Sequence, residues 1–356
     1  MSVFVIAEAG VNHDGDVERA RALIDAAVRA GADAVKFQTF KSEELVARDA
    51  AKAEYQKRTT GAEEDQLAML MRLELDRDAH HRLIAHCREQ GIAFLSSPFD
   101  LASVAFLKDE LGLDTLKIAS GEITNAPLLL EAARGGTAII LSTGMSSQDE
   151  VEEALGVLAY GYLEPARRPG RDSFQQAFAS AEGRAALADR VTLLHCTTEY
   201  PAPIEDANLR AIEILRQAFN LPVGLSDHTP GVLASVAAVA LGATVIEKHI
   251  TLDRNSPGPD HAASLDPQGF AELVESIRAT EAALGDGVKE PRPSEMGNRA
   301  VARKALRARS AIVKGQSFTA DNLAALRPGD GLSPMDWWER LGRPATRAYA
   351  PGEAIE

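Results

Sequence analysis

His228 and His249 are the residues whose type and placement most directly suggest chemistry. Both fall in GLSDHTPGVLASVAAVALGATVIEKHIT, residues 224–251. The stretch reads as strand, turn, apolar helix, turn, strand. Pro222 to Ser226 and Thr244 to Ile250 are the strand runs, Val232 to Leu241 is the helix, and Gly242 ends it. Such a unit makes two parallel strands with a right-handed crossover. His228 lies just beyond the end of the first strand and His249 at the end of the second. Neighbouring strands run roughly 4.8 Å apart, so both imidazoles can reach one point above the sheet. Two imidazoles with open positions suit a borderline divalent metal. Either histidine alone would read as an ordinary strand-end residue, but two at matching ends point to a site.

Three lysines, Lys36, Lys117 and Lys248, also sit at or near strand ends. One of them could be the desolvated nucleophile of a Schiff-base aldolase. Alternatively, several lysines and hydroxyls could cradle a phosphate. Ser97, Ser120 and Ser142 around Lys117 favour the cradle, although each serine alone would pass for a strand-end cap. Alternation turns Lys248 away from the His249 face, so it reads as half of a structural ion pair in the wall. Glu8 and Glu122 are strand-end carboxylates, which are costly in a closed mouth unless paired or functional. General base or acceptor for a substrate hydroxyl are their open roles. Asp260, in PGPDH, is either a loop anchor or a substrate contact. Asn12 and His13 read as turn formers, and His80, His81, His86 and His195 as structural.

The elements that must position these residues follow from the apolar pattern. Strands are expected at Val3 to Glu8, Ala34 to Gln38, Ile92 to Ser96, Leu116 to Ala119, Ala138 to Ser142, Val191 to Cys196, Val223 to Leu225 and Val245 to His249. Helices are expected at Val17 to Ala30, Arg77 to Gln90, Ala102 to Leu111, Pro127 to Arg134, Ser147 to Leu158, Ala207 to Ala218, Val232 to Leu241 and Pro267 to Ala283. Eight strand–helix pairs over about 285 residues are the measure of a (β/α)8 TIM barrel. A doubly wound open sheet would gather its ligands at one switch point. Here every strand ends in polar chemistry: Glu8; Lys36 with Gln38; Ser97; Lys117 with Ser120 and Glu122; Ser142; Thr198 with Tyr200; His228; His249. That favours a closed barrel with its site at the C-terminal face. Two long excursions interrupt the series, at Lys41 to Asp65 and Gly161 to Asp189. The first is a loop on the active side that could close over the mouth.

Residues 1–285 are thus expected to form the barrel, 286–300 a charged Gly/Pro-bearing linker, and 301–356 a small β-rich domain, marginal alone. A net charge of −14 over 356 residues argues against a general nucleic-acid or membrane surface. It leaves room for a local basic pocket and a phosphorylated substrate. Cys87 and Cys196 sit inside apolar patterns and read as buried thiols of a reducing compartment. The opening MSVFVIAEAG lacks the pattern of a signal peptide or membrane span, so a cytoplasmic protein is expected.

IAEAGVNHDG, VKFQTF, SSPFD, KIASGEI, LSTGM, LHCTTEYPAP, GLSDHT and EKHIT followed by GPDHAASLDP resemble, in order, the motifs of the sialic acid synthase (NeuB-type) family. The tail DNLAALRPGDG resembles the family's C-terminal antifreeze-like (SAF, β-clip) domain. The resemblance implies condensation of phosphoenolpyruvate with an open-chain 2-acetamido sugar such as N-acetylmannosamine, giving a nine-carbon 2-keto acid and phosphate by C–O cleavage. It implies a divalent metal, Mn2+ or Mg2+, on His228 and His249. It implies a phosphoenolpyruvate site at Lys36, Ser97, Lys117, Ser120, Ser142 and Ser226, and sugar contacts from Gln38, Tyr200, Asp260 and Glu122. Glu8 corresponds to the glutamate that handles water. Arg327 corresponds to the arginine that reaches into the partner's barrel in a homodimer with exchanged C-terminal domains.

Thr198, counted with the substrate contacts, stands where sialic acid synthases often carry Asn, and Val301 where some carry an aromatic. These departures, with the long 161–189 insertion, point toward a related product such as legionaminic acid, made from a 2,4-diacetamido-2,4,6-trideoxyhexose, as the alternative; sialic acid from N-acetylmannosamine stays the favoured product, as the commonest chemistry. A Schiff-base lyase on the same sugars, and a barrel scaffold bearing an ice- or sugar-binding tail, are the remaining readings. The polar end on every strand argues against the scaffold.

Overall fold

The computed structural model describes residues 2–47, 50–53, 56–57, 65–164 and 166–356. It divides into two compact units, Met1–Gly285 and Asp286–Glu356. In the first, eight parallel strands lie in the order β3-β2-β1-β8-β7-β6-β5-β4. They are β1 (Phe4–Gly10), β2 (Ala34–Thr39), β3 (Ala93–Pro98), β4 (Thr115–Ile118), β5 (Ala138–Ser142), β6 (Val191–Cys196), β7 (Val223–Asp227) and β8 (Val245–His249). The two ends of that order, β3 and β4, pack side by side, which closes the sheet into the expected (β/α)8 barrel.

Strand alternation sorts the side chains. Residues of one parity face helices such as Val17–Ala30 and Pro267–Leu284 and build the large outer core, including Val5, Val35, Leu116, Leu193 and Ile246. Residues of the other parity point inward. Ile6, Ala34, Leu95, Ile140, Leu194 and Val245 form one apolar interior layer. Two residues further along the same strands the inward side chains turn polar, giving Glu8, Lys36, Ser97, Ser142 and Glu247.

Two helices match the sequence reading at both ends. Val17–Ala30 is capped by the Asp16 side chain and ended by Gly31 in the left-handed region. Arg77–Gln90 is capped by Asp76 and ended by Gly91. Elsewhere the structure corrects the reading. The helix expected to stop at Leu158 runs on to Leu163, and the excursion after it is two further helices, Arg171–Ala179 and Ala181–Arg190. Gly156 and Gly161 do not break the longer helix, because each marks a close approach. A Cβ on Gly161 would lie 2.7 Å from the Ala133 Cβ, and one on Gly156 would lie 3.0 Å from the Phe174 carbonyl oxygen. The helix expected at Ala102 to Leu111 is α-helical only over Leu101–Ala105 and widens to a π-turn over Phe106–Glu110. The helix expected from Ala207 begins at Ala211, after a 3-10 turn at Ile204–Asp206. Of the first excursion, Ser42–Leu45 is a short helix, while the expected closing segment falls in part on residues 48–49, 54–55 and 58–64, outside the described residues.

The second unit has its own core of Leu306, Ala308, Ile312, Phe318, Leu323, Ala345, Tyr349 and Ile355. It holds the antiparallel pair β9 (Ala305–Ala308) and β10 (Leu323–Leu326). Arg327 follows β10 directly and is exposed.

Candidate active site

The polar interior layer is a chain of buried charges. Lys36 Nζ lies 2.6 Å from Glu8 Oε2 and 3.6 Å from Glu247 Oε2. Lys117 Nζ lies 3.2 Å from Glu247 Oε1. Ser226 Oγ donates to the same oxygen at 2.8 Å, and Lys36 donates to Ser97 Oγ at 3.2 Å. All four charged groups are at most 5% exposed, so their fields are little screened. Ser142 Oγ is buried with no partner among the described residues, a hydroxyl left free for a ligand.

The two carboxylates of this chain are driven apart. Burial opposes ionisation of Glu247, but Lys117, Lys36 and the Ser226 hydroxyl overcome it and hold Glu247 well below the ordinary carboxylate range. Burial dominates at Glu8 and, against the pull of Lys36 and with the push of Glu247, raises it to about 7. The pair therefore keeps one proton to near neutrality. Lys36 is raised despite burial, by Glu247 and Glu8. Lys117 is lowered by burial.

Above this layer stand the histidines. The ring centroids of His228 and His249 are 5.5 Å apart. His228 Nδ1 lies 2.7 Å from the Thr197 carbonyl oxygen, so the ring donates there and leaves its Nε2 lone pair inward, 3.3 Å from Ser226 Oγ. His249 Nδ1 is buried with no hydrogen-bond partner among the described residues, 3.8 Å from Asp260 Oδ2. Burial pushes His228 down to about 4 and, with the neighbouring His228, holds His249 well below its usual value. Two neutral imidazoles, each with a ring nitrogen free to offer a lone pair, fit a borderline divalent cation. Among the described residues no third His, Cys, Asp or Glu completes a ligand set, so further positions would fall to solvent or substrate.

The remaining site residues ring this axis. The Tyr200 ring lies tilted at 4.2 Å from the His228 ring centroid and edge-on at 5.5 Å from that of His249. Gly10 ends β1 at φ +52, and a Cβ there would lie 3.1 Å from Glu8 Oε1, 3.4 Å from Gln38 Nε2 and 3.6 Å from Asp260 Oδ2. Glu8, Gln38 and Asp260 thus converge on a spot that a glycine leaves open. Burial raises Asp260 to about 6. Gly144 is a second close approach: a Cβ there would lie 2.2 Å from Thr198 Oγ1 and 2.8 Å from Ser120 Oγ. Ser120 Oγ accepts from the Gly144 N–H at 2.9 Å.

Two expected residues stand apart from the charged chain. Glu122, half-buried on the turn after β4, accepts from Asn125 Nδ2 at 2.7 Å and is raised by burial. Arg327 belongs to the second unit. Lys248 forms the wall ion pair expected of it, with Asp227 at 2.8 Å. Asn12 does more than shape its turn, donating to the Ile250 carbonyl and Ser264 Oγ, both at 2.9 Å. Sequence reasoning missed Glu247, the partner of both site lysines. The signal was available: the alternation that turns Lys248 outward puts Glu247 on the face of His249.

Comparison with known proteins adds a consistent set of relatives. A family model described as the NeuB family matches residues 23–289. The N,N'-diacetyllegionaminic acid synthase of Campylobacter jejuni subsp. jejuni serotype O:2 is 49% identical over 351 residues, 99% of this chain and 98% of the relative. The N,N'-diacetyllegionaminic acid synthase of Legionella pneumophila subsp. pneumophila is 44% identical, over 94% of this chain and 88% of the relative. Among solved structures, the N-acetylneuraminic acid (sialic acid) synthetase of Leptospira borgpetersenii serovar Hardjo-bovis, in complex with citrate, is 34% identical. It superposes with a TM-score of 0.68 over 84% of this chain and 90% of that one.

Proposed function

The chain belongs to the NeuB family, and from that premise we propose that it is a nonulosonic acid synthase, condensing phosphoenolpyruvate with the open-chain form of a 2-acetamido sugar to give a nine-carbon 2-keto acid and phosphate. The observation that carries the proposal is the juxtaposition of a lysine–carboxylate chain, Glu8–Lys36–Glu247–Lys117, with two neutral imidazoles at one barrel mouth. The first suits an anionic phosphoenol ester, the second an aldehyde oxygen.

Lys36 and Lys117 bind the anionic groups of phosphoenolpyruvate, with Ser97, Ser120 and Ser142 supplying hydroxyl donors; Ser226, whose proton goes to Glu247, lines the same site. His228 and His249 hold Mn2+ or Mg2+, which when bound polarises the aldehyde carbonyl and stabilises the developing alkoxide. C3 of phosphoenolpyruvate attacks the aldehyde carbon, and C2 becomes oxocarbenium-like. Water adds at C2, and Glu8, raised to about 7, is placed to take its proton at neutral pH. The bond from C2 to the bridging oxygen then breaks, and that oxygen leaves with phosphate. Gln38, Tyr200, Thr198, Asp260 and Glu122 orient the sugar. Arg327 completes the pocket from the second unit of a partner chain in a homodimer.

The sugar favoured is a 2,4-diacetamido-2,4,6-trideoxyhexose, because both relatives named for diacetyllegionaminic acid are more similar to this chain than the sialic acid synthetase is. N-acetylmannosamine is its competitor. The Schiff-base lyase is disfavoured because Lys117 is ion-paired with Glu247 and is a poor amine nucleophile in that state. The test is phosphate release from phosphoenolpyruvate across a panel of 2-acetamido and 2,4-diacetamido sugars. The largest kcat/KM is expected with a diacetamido sugar. Release with none of them, together with borohydride trapping of pyruvate on Lys117, would replace the synthase by the lyase.

A further inference from the structure

At the end of the β7–β8 ladder two successive cross-strand pairs, and the two residues just beyond them, alternate between the faces of the wall. Ser226 faces Glu247 inside the barrel. Asp227 faces Lys248 on the helix side. His228 and His249 follow, turned inward.

The Asp227–Lys248 pair needs an explanation. The Lys248 and Asp227 side chains are 1% and 0% exposed, on the barrel face that is otherwise packed with Val, Leu, Ile and Ala. An ion pair so deeply buried is no stability device by default, because apolar residues of similar volume often serve as well or better. Its remaining hydrogen bonds show what it holds. Asp227 Oδ1 accepts from both the backbone N–H and the hydroxyl of Thr229, each at 2.8 Å. Asp227 Oδ2 accepts from Ser235 Oγ at 2.6 Å, on the following helix Leu233–Ala240. Lys248 Nζ donates to the Thr229 carbonyl at 2.5 Å. The residues on both sides of His228 are therefore pinned to β8 and to the helix behind it. The ring itself is fixed separately, by the Thr197 carbonyl.

We propose that Asp227 and Lys248 are a positioning pair for the two imidazoles. From the far face of the wall they fix the β7–β8 register and the turn at Thr229, so that His228 and His249 present their nitrogens to a common divalent cation. The proposal rests on the reading of that cation site given above. The pair touches neither substrate nor cation and acts through its neighbours in sequence. Outer partners of metal ligands are worth about 10–100-fold in metal affinity.

The decisive variant is Asp227→Asn/Lys248→Met in the full chain. It removes both charges together, keeps the acceptor that Thr229 needs, and leaves no buried charge unpaired. Binding of manganese(II) alone to the metal-free protein, followed by electron paramagnetic resonance of the free ion, is expected to weaken about 10–100-fold. A crystal structure of the metal-free variant is expected to show the two rings displaced from their 5.5 Å separation. Affinity within twofold of the parent with the rings unmoved would overturn the proposal and leave the pair a purely structural one. If the parent itself binds no manganese, the cation reading fails, and ring placement in the metal-free variant still decides the positioning role. Should the double variant not fold, Ser235→Ala decides. It deletes only the hydroxyl on Asp227 and is expected to weaken manganese about fivefold, the worth of one hydrogen bond; an unchanged affinity there would refute the proposal.

Discussion

Glu8→Gln is expected to gain stability relative to the parent as pH rises, and to lose activity. Glu8 is about 2% exposed and its carboxyl is raised from 4.5 to about 7, first by burial. Between those two values the folded chain keeps a proton that the unfolded chain has released. Stability contributed by this group is therefore intact below pH 4.5 and is lost as pH rises toward 7. The full loss is about 3 kcal/mol, most of it developing between pH 5 and pH 8. A glutamine of the same shape does not titrate and escapes that loss. Lys36 also loses an ion-pair partner, but it keeps Glu247 and Ser97. At pH 5 the Glu8 carboxyl is protonated and offers no ion pair to lose, and at pH 8 its attraction to Lys36 is already part of what holds the value down to about 7. At about 2 °C per kcal/mol for a chain of this size, the melting temperature of Glu8→Gln relative to the parent should rise by about 5 °C between pH 5 and pH 8. Scanning calorimetry in chelator-treated buffer measures it, and turnover at pH 7.5 should fall by about 100-fold or more, the lower range for a lost acid–base group. An equal difference at the two pH values would mean that Glu8 titrates as an ordinary surface carboxyl and cannot be the proton acceptor near neutrality.

Three other outcomes follow from the same site. His228→Ala and His249→Ala should each lower turnover by about 100-fold or more while the circular dichroism melt stays cooperative, and chelation should abolish parent activity until manganese or magnesium is restored; full activity after exhaustive chelation would exclude the cation's role. In labelled water the new oxygen should appear at C2 of the keto acid and not in phosphate, as mass spectrometry of both products would show; label in phosphate would mean P–O cleavage. Arg327→Ala should raise KM for the sugar more than for phosphoenolpyruvate, and mixing it with His228→Ala subunits should recover part of the activity, since one site per mixed dimer has both residues. No recovery after verified subunit exchange would place the arginine's action within its own chain.

Much of the barrel was legible because each strand is a short apolar run ending in a polar residue, a pattern imposed by strands buried on both faces. The ends of Ala138–Ser142, Val191–Cys196 and Val245–His249 coincide with the sequence reading for this reason. The pairing of His228 with His249 was legible from two adjacent strands alone. What escaped needed contacts between segments far apart in sequence. His261, ignored by any local pattern, bonds Thr251 Oγ1 at 2.7 Å and Asp14 Oδ1 at 3.1 Å, clasping the loops after β1 and β8 around Asp260. The helices in the 161–190 insertion escaped because what holds them is packing on an earlier helix: the Phe174 ring lies edge-on to Tyr160 at 5.2 Å, and the Phe174 carbonyl crosses close to Gly156. Glu247 escaped although alternation marks it, because Lys248 beside it drew the argument about charge.

EKH in β8 shows how one strand serves three roles. Glu247 faces inward beside Lys36 and Lys117, Lys248 outward into the wall, and His249 inward again at the mouth. A carboxylate at 247 has a cost, since Lys36 and Lys117 would attract an anion more strongly without it. Without Glu247, however, two buried ammoniums would face each other with only Glu8 to balance them, and the positive field would draw the proton off Glu8. Glu247 takes up the charge of the lysines and itself pushes Glu8 upward. The ionised carboxylate thereby leaves its neighbour free to titrate near neutrality, and the division of labour between the two glutamates follows from which of them the lysines reach in common.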